Sequence, residues 1–399
     1  MTAWDVAVVG AGPAGSAAAI GALRVDPSLR VALLDRAEFP RDKSCGDGIA
    51  PHVIDLLDGA GVTGIVDGHV PVPRLRLNRG SSGVDRAMAR PTWVIPRTVF
   101  DRRLVDAARA AGATLLRQRV REVSQGSTVV LDGEVEARTV VGADGAYSAV
   151  RQALSMPSGP MAVALRGYSP TPSHRANAQV IVFDTARQPA YAWSFDRGDG
   201  LANVGYGELL GHRHDLATKA QLMARLDTLL PGATDGSPGC WKGHHLPLAT
   251  GRWRPPPGRV MLAGDAAGLV NPMTGEGIYY AVATGLAAGR AAAEAVGAGD
   301  PATAGARYAR TTKRLLSGHL RHVAAAAWLC RSGRVIDAGL RASTADQRVF
   351  EDLVELGLAR GRITTTMLRG LVRELARSTR NQRTPRHRHD IEEPPACRS

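Results

Sequence analysis

Cysteine is scarce in this chain. Its four residues, Cys45, Cys240, Cys330 and Cys397, lie far apart, so no pair has metal-ligand or redox spacing. The adjacent His244 and His245 have no third ligand nearby in sequence. The expectation is reduced thiols and no metal. No uninterrupted apolar run reaches about 18 residues, and no basic segment precedes a long apolar stretch at the N-terminus. A spanning helix and a secretory leader are therefore not expected, and the chain reads as cytoplasmic. Internal repeats and nucleic-acid modules are also absent. Acidic residues are in deficit, 37 against 50 Lys and Arg, for a net charge of +13. The excess is mostly Arg, concentrated at 97–121, 306–335 and 359–387. Two readings stay open: compositional bias in an Ala- and Arg-rich chain, or attraction to an anionic membrane surface or phosphorylated substrate. At 399 residues and 44% hydrophobic, the chain is globular and long enough for two or three domains.

What is present begins at residue 6. Val6-Ala-Val-Val9 runs into Gly10-Ala-Gly12-Pro13-Ala14-Gly15, then a small-residue stretch, then Val31-Ala-Leu-Leu-Asp35-Arg36. This is a strand, a Gly-rich turn, a helix and a second strand ending in an acid. Gly10 permits the tight turn, Gly12 lets backbone N–H groups approach a pyrophosphate, and Gly15 lets helix and strand pack closely. Asp35, 20 residues after Gly15, can accept hydrogen bonds from a ribose hydroxyl. The unit predicts a dinucleotide-binding α/β fold.

Two later segments select FAD. Thr139-Val-Val-Gly-Ala-Asp144-Gly145 is an apolar strand running into a turn, and Arg259-Val-Met-Leu-Ala-Gly264-Asp265-Ala266 is another. A carboxylate at such a strand end can hold a ribityl hydroxyl, and the amides of the following Gly275-Glu276-Gly277-Ile278 segment can face a flavin ring.

These three segments together make the chain resemble the flavoprotein superfamily of aromatic hydroxylases, flavin halogenases and geranylgeranyl reductases. It most resembles the geranylgeranyl reductase family. The narrower likeness rests on Lys43-Ser-Cys45-Gly46-Asp47-Gly48, similar to that family's Lys-x-Cys-Gly-Gly/Asp-Gly loop, on Tyr191-Ala-Trp193-Ser-Phe195 followed by Gly198 to Gly207, and on Asn271 to Tyr280. Asp196-Arg197 departs from the usual Pro-Lys, which bears on the substrate and not on the cofactor. The resemblance implies a glutathione-reductase-type Rossmann-like FAD domain with an inserted, mostly antiparallel β substrate domain and C-terminal helices. It also implies that the Cys45 loop folds over the isoalloxazine and that the Arg97 helix borders the cofactor. Arg97 would either touch FAD phosphate or hold the domain together.

The expected organisation is FAD-binding residues 1–72, 98–160 and 258–300, substrate-domain residues 73–97 and 161–257, helices over 301–377, and a disordered tail over 378–399. Helices are expected at Ile278–Val296, Ala306–Arg331 and Gln347–Arg377. Cys45 is the candidate proton donor, with Lys43 tuning its acidity and Asp47 as the alternative relay. Tyr191, Trp193 and Phe195 alternate along a strand and form one aromatic wall, with Trp93 entering the same pocket. Glu276 is expected to fix the start of a helix. The implied activity is reduction of a carbon–carbon double bond in a prenyl or similar apolar substrate by hydride from reduced FAD. Electrons would come from NAD(P)H or a protein donor, since no second dinucleotide motif is visible. An FAD-dependent monooxygenase or halogenase is the alternative, and a flavin-free prenyl-lipid carrier is the lesser one. A small apolar substrate is the expected partner, peripheral membrane association is one of the two readings of the basic charge, and oligomeric state stays open.

Overall fold

The computed structural model describes residues 2–211, 217–235 and 241–383. Two sheets face each other across one long cavity. The first is built on parallel strands in the order Thr114–Arg117, Val31–Asp35, Thr2–Val9, Val135–Gly142, with Val260–Leu262 parallel to the end of the last. The antiparallel strands Val129–Leu131 and Val123–Gln125 extend it. These central strands are near-continuous Val, Ala and Leu because successive residues, which point to opposite faces, are all buried.

The helix Pro13–Leu23 is wholly buried. It lies so close to Ile278–Gly297 that a Cβ on Gly289 would come within 1.9 Å of the Ala18 carbonyl, and one on Gly285 within 2.2 Å of the Ala14 carbonyl. That approach explains why both helices are written in Ala and Gly. It also fixes the loop before Ile278 against the Gly-rich turn.

The second sheet has eight strands in the order Lys242–Pro247, Met161–Pro170, Leu201–Leu209, Ala190–Asp196, Ala178–Phe183, Val72–Arg79, Ser82–Val94, Gly48–Ile49. All neighbours are antiparallel except Ala178–Phe183 with Val72–Arg79. One face of its central strands buries Leu165, Val204 and Tyr206 against Leu222 and Leu226 of a helix, Lys219–Leu229, that the sequence reading did not assign. Its start carries a capping box, Thr218 with Gln221, which is a legible signal in the sequence.

At the other end of this sheet, Leu77, Val84 and Met88 pack against Ile336, Leu340, Phe350 and Val354. Here the helical expectation needs correction. Gly333–Ala345 is a separate helix within the expected helical region, lying between the two helices given bounds there, and the expected Gln347–Arg377 helix is two, Gln347–Leu358 and Thr365–Arg383. The break falls at Gly361, whose Cβ would lie 2.1 Å from the Leu356 amide nitrogen, so only glycine permits the chain to fold back on the preceding turn. The final helix continues to Arg383, which moves the start of the expected tail beyond 378. The rest of that tail lies outside the described residues.

Candidate active site

Between the two sheets runs a cavity of about 1760 Å³. A single drug-sized ligand takes roughly 300–1,000 Å³, so this one has room for a dinucleotide and a second molecule. At one end lie Gly10, Gly12, Pro13 and Ala14, with Asp35 and Arg36 beside them. Gly10 has φ 98°, and a Cβ there would strike the Ala143 carbonyl at 2.4 Å. Gly15 stands behind this lining, where a Cβ would meet the Gly10 carbonyl at 1.7 Å. The Asp35 carboxylate accepts the Ala11 and Ala37 N–H groups at 2.8 and 2.9 Å, which locks the acid beside the turn. Arg41 was missed by the sequence reading. Its guanidinium lies 3.2 Å from where a Gly12 Cβ would be and pairs with Asp101 at 3.2 Å, supplying positive charge over the turn.

Asp144 and Asp265 follow along the cavity. Asp144 Oδ2 accepts the Ala149 N–H at 2.7 Å and so starts the next helix, while its Oδ1 is buried without a partner in the chain. Burial pushes the Asp144 carboxyl up. Burial acts to raise Asp265, but Lys43 at 3.1 Å together with the charges of His244 and Arg97 holds that carboxyl below its usual range. Gly264 and Ala266 lie beneath the cavity wall. The Gly264 amide donates to Thr284 Oγ1, and the Ala266 carbonyl accepts from Arg151. Gly145, Gly275, Gly277 and Ile278 reach the cavity. Glu276 does also, and its Oε1 accepts the Tyr279 N–H at 2.8 Å, which fixes the start of the long helix. Burial pushes the Glu276 carboxyl up to about 7.

The Cys45 loop is tied to the second sheet at almost every residue. Fully buried Arg166 pairs with Asp42 and donates to the Lys43 carbonyl, and Ser44 Oγ donates to the Lys242 carbonyl. Asn203 Nδ2 donates to the Cys45 carbonyl at 2.9 Å and to Asp47 Oδ2 at 2.8 Å, while its Oδ1 accepts Trp193 Nε1 at 2.9 Å. One amide therefore holds both the loop and the aromatic wall. Tyr168 OH donates to the same Asp47 oxygen. Asp47 has φ 60°, which accounts for a motif position that accepts Gly or Asp. Burial pushes its carboxyl up to about 6.

Burial also raises the Cys45 thiol, opposed by the charge of Arg97, so the thiol is held protonated. This corrects the expected role of Lys43, whose ammonium sits on Asp265. Arg97 is buried in a two-bond pair with Asp101 at 2.6 and 2.8 Å and faces the cavity beside Cys45.

Tyr191, Trp193 and Phe195 share one face of Ala190–Asp196, with ring centroids 6.0 and 6.4 Å apart in sequence order, and all three line the cavity. Gly46 lies against them, its would-be Cβ 3.3 Å from the Phe195 ring. Trp93 is elsewhere. Strand alternation turns it onto the first sheet's core, and its neighbour Thr92 lines the cavity instead. Asp196, at the departure from Pro-Lys, accepts from Thr171, Asn177 and Gly198 and serves the turn. Beyond the aromatic wall the cavity becomes an apolar chamber under Leu75, Leu77 and Ile181, closed by Ile336, Leu340 and Leu353 of the C-terminal helices. Those helices were not expected to contribute.

The features fit FAD: a turn open to a pyrophosphate, a buried unpartnered Asp144 oxygen, and an Asp265 carboxylate at a strand end. Comparisons agree. Residues 3–194 match the family described as FAD binding domain. The chain is 33% identical over 339 residues to the menaquinone reductase of Mycolicibacterium smegmatis, covering 74% of this chain and 76% of that one. It is likewise 33% identical to the geranylgeranyl diphosphate reductase of Rhodobacter capsulatus, covering 75% and 77%. The solved structure of a geranylgeranyl bacteriochlorophyll reductase-like protein from Thermoplasma acidophilum superposes with a TM-score of 0.73 at 20% identity, over 96% of this chain and 99% of that one. The chain is an FAD-dependent oxidoreductase belonging to the geranylgeranyl reductase family.

Proposed function

We propose that the protein saturates a carbon–carbon double bond of a prenyl or similarly apolar chain. The observation that carries this reading is the largely apolar chamber beyond Tyr191, Trp193 and Phe195, which suits a long hydrocarbon. Bound and reduced, FAD would supply the hydride. Arg41, Asp35, Asp144 and Asp265 are the residues that would hold it, and the Cys45 loop, with Gly46 against the Phe195 ring, positions the alkene beside the aromatic strand.

The second carbon needs a proton. Cys45 is suited to give it, because its thiol is kept protonated by burial and lies in the lining beside that strand. As the C–H bond forms, the S–H electron pair stays on sulfur, leaving a thiolate that Arg97 stabilises until a proton returns. Asp47 and Tyr168 form the path for that return. Electrons for the next cycle come from NAD(P)H or a protein donor. The test is anaerobic reduction of the bound flavin, then addition of geranylgeranyl diphosphate, whose reducible groups are its alkenes. Reoxidation of the flavin without oxygen is expected, and a flavin that stays reduced until oxygen is admitted overturns the reading.

A further inference from the structure

Two of the Arg-rich stretches of the sequence meet in space. The helix Ala304–Leu329 contains seven Lys, Arg and His residues and no Asp or Glu. Arg310, Arg314, Arg321 and His322 recur on it at spacings that share one face, with Lys313 alongside. Arg362 reaches the same face from the turn after Leu358. Its guanidinium lies 3.0 Å from where a Gly318 Cβ would be, so glycine at 318 lets the charge come down onto the helix. These six side chains line a separate cavity of about 530 Å³.

Among the described residues, none of the five Lys and Arg side chains pairs with a carboxylate, whereas Arg41, Arg79, Arg97 and Arg166 do. All five are exposed, so solvent and salt screen their mutual repulsion in the free protein, while their concentration in one groove without a carboxylate makes a positive potential that draws an anion. Arg310 and Arg314 lie one turn apart on the helix, Arg362 comes down onto it at Gly318, between Arg314 and Arg321 in sequence, and the Ser317 carbonyl accepts Arg321 Nε at 3.2 Å. That arrangement suits the several oxygens of a phosphoryl group better than a single carboxylate. The pocket adjoins the large cavity. Gly251, which lines the large one, packs on Arg321 and Ala324, and Ala324 lines it too.

We infer that this basic cavity is a binding site for a phosphoryl anion, carried either by an anionic lipid headgroup or by a free phosphate ester. The inference does not need the prenyl reading. It is tested on the FAD-loaded full chain, so that the cofactor's own pyrophosphate site is filled. Inorganic pyrophosphate binding is measured by calorimetry at about 0.1 M salt, where exposed charges beyond roughly 10 Å are screened, and sedimentation is measured with phosphatidylglycerol–phosphatidylcholine vesicles. The variant Arg314→Gln/Arg321→Gln/Arg362→Gln is compared with Arg30→Gln/Arg109→Gln/Arg290→Gln, which removes equal charge at exposed positions elsewhere. Retained flavin absorbance shows that both variants are folded.

The site variant is expected to lose at least about thirty-fold in affinity, the scale of several charge-assisted contacts, while the control changes little. Loss of vesicle sedimentation identifies a headgroup as the source, and loss of pyrophosphate binding alone identifies a free ester. No binding of either probe, or equal behaviour of the two variants in both arms, overturns the inference.

Discussion

The nucleotide end and the substrate end of the large cavity are built on different principles. At the nucleotide end, backbone geometry does the selecting: Gly10 needs φ 98°, Gly15 has no room for a methyl group, and Gly285 and Gly289 let two helices touch. Few residue types satisfy such demands, so they show in the sequence as fixed spacings. At the substrate end, the chamber is walled by Leu75 and Leu77, Ile181, Ile336, Leu340 and Leu353 from four separated segments. Any apolar residue of suitable size would serve there. Backbone constraint leaves a local signature, and side-chain packing between distant segments does not.

The first way to break this contrast is at Gly15. Gly15→Ala places a methyl 1.7 Å from the Gly10 carbonyl and is expected to cost more than ~3 kcal/mol and to abolish FAD retention, read by flavin absorbance of the purified protein. Retained flavin would show the turn to be more compliant than the geometry allows.

A second test lies in the loop that joins the two ends. The Asp47 carboxyl, 3.8 when unperturbed and about 6 when folded, binds its proton more tightly in the native state. Stability therefore falls as pH rises from about 4 to about 6 and is level above that, a loss of up to about 3 kcal/mol. Asp47→Asn keeps an acceptor for Tyr168 and Asn203 and should flatten that window in denaturant titrations. An unchanged slope would place the titration elsewhere.

At the chemical centre, Cys45→Ala should lower the rate of alkene reduction about a hundred-fold or more while FAD stays bound. Unchanged turnover would remove Cys45 as proton donor. The smallest effect sharpens the substrate end: Leu353→Trp should reduce kcat/KM about ten-fold for a twenty-carbon prenyl chain and less for a short one. Equal losses for both would mean that the chain does not reach the C-terminal helices.

How much the sequence disclosed follows the same contrast. The Gly10–Asp35 unit, Asp144, Asp265 and the Tyr191–Phe195 alternation were legible because each is a short-range pattern. Arg41, Asn203 and Tyr168 were not, since their roles arise from contacts across 60 to 160 residues, such as the Asn203 bonds to Cys45 and Asp47. Lys43 was misread because nearness in sequence to Cys45 says nothing of direction, and the ammonium turns to Asp265. Trp93 failed by one position of strand alternation. The helix at Lys219–Leu229 was legible through its Thr218–Gln221 capping box and was overlooked, whereas the break at Gly361 depends on a tertiary fold-back that no local pattern announces.

The most direct test is the mass of the product formed from a prenyl substrate under labelled oxygen, ¹⁸O₂, with a reductant present. The aromatic wall and the Cys45 proton predict a product heavier by two hydrogen atoms and free of label. Incorporation of an ¹⁸O atom would contradict the account, making the same cavity the site of an oxygenation.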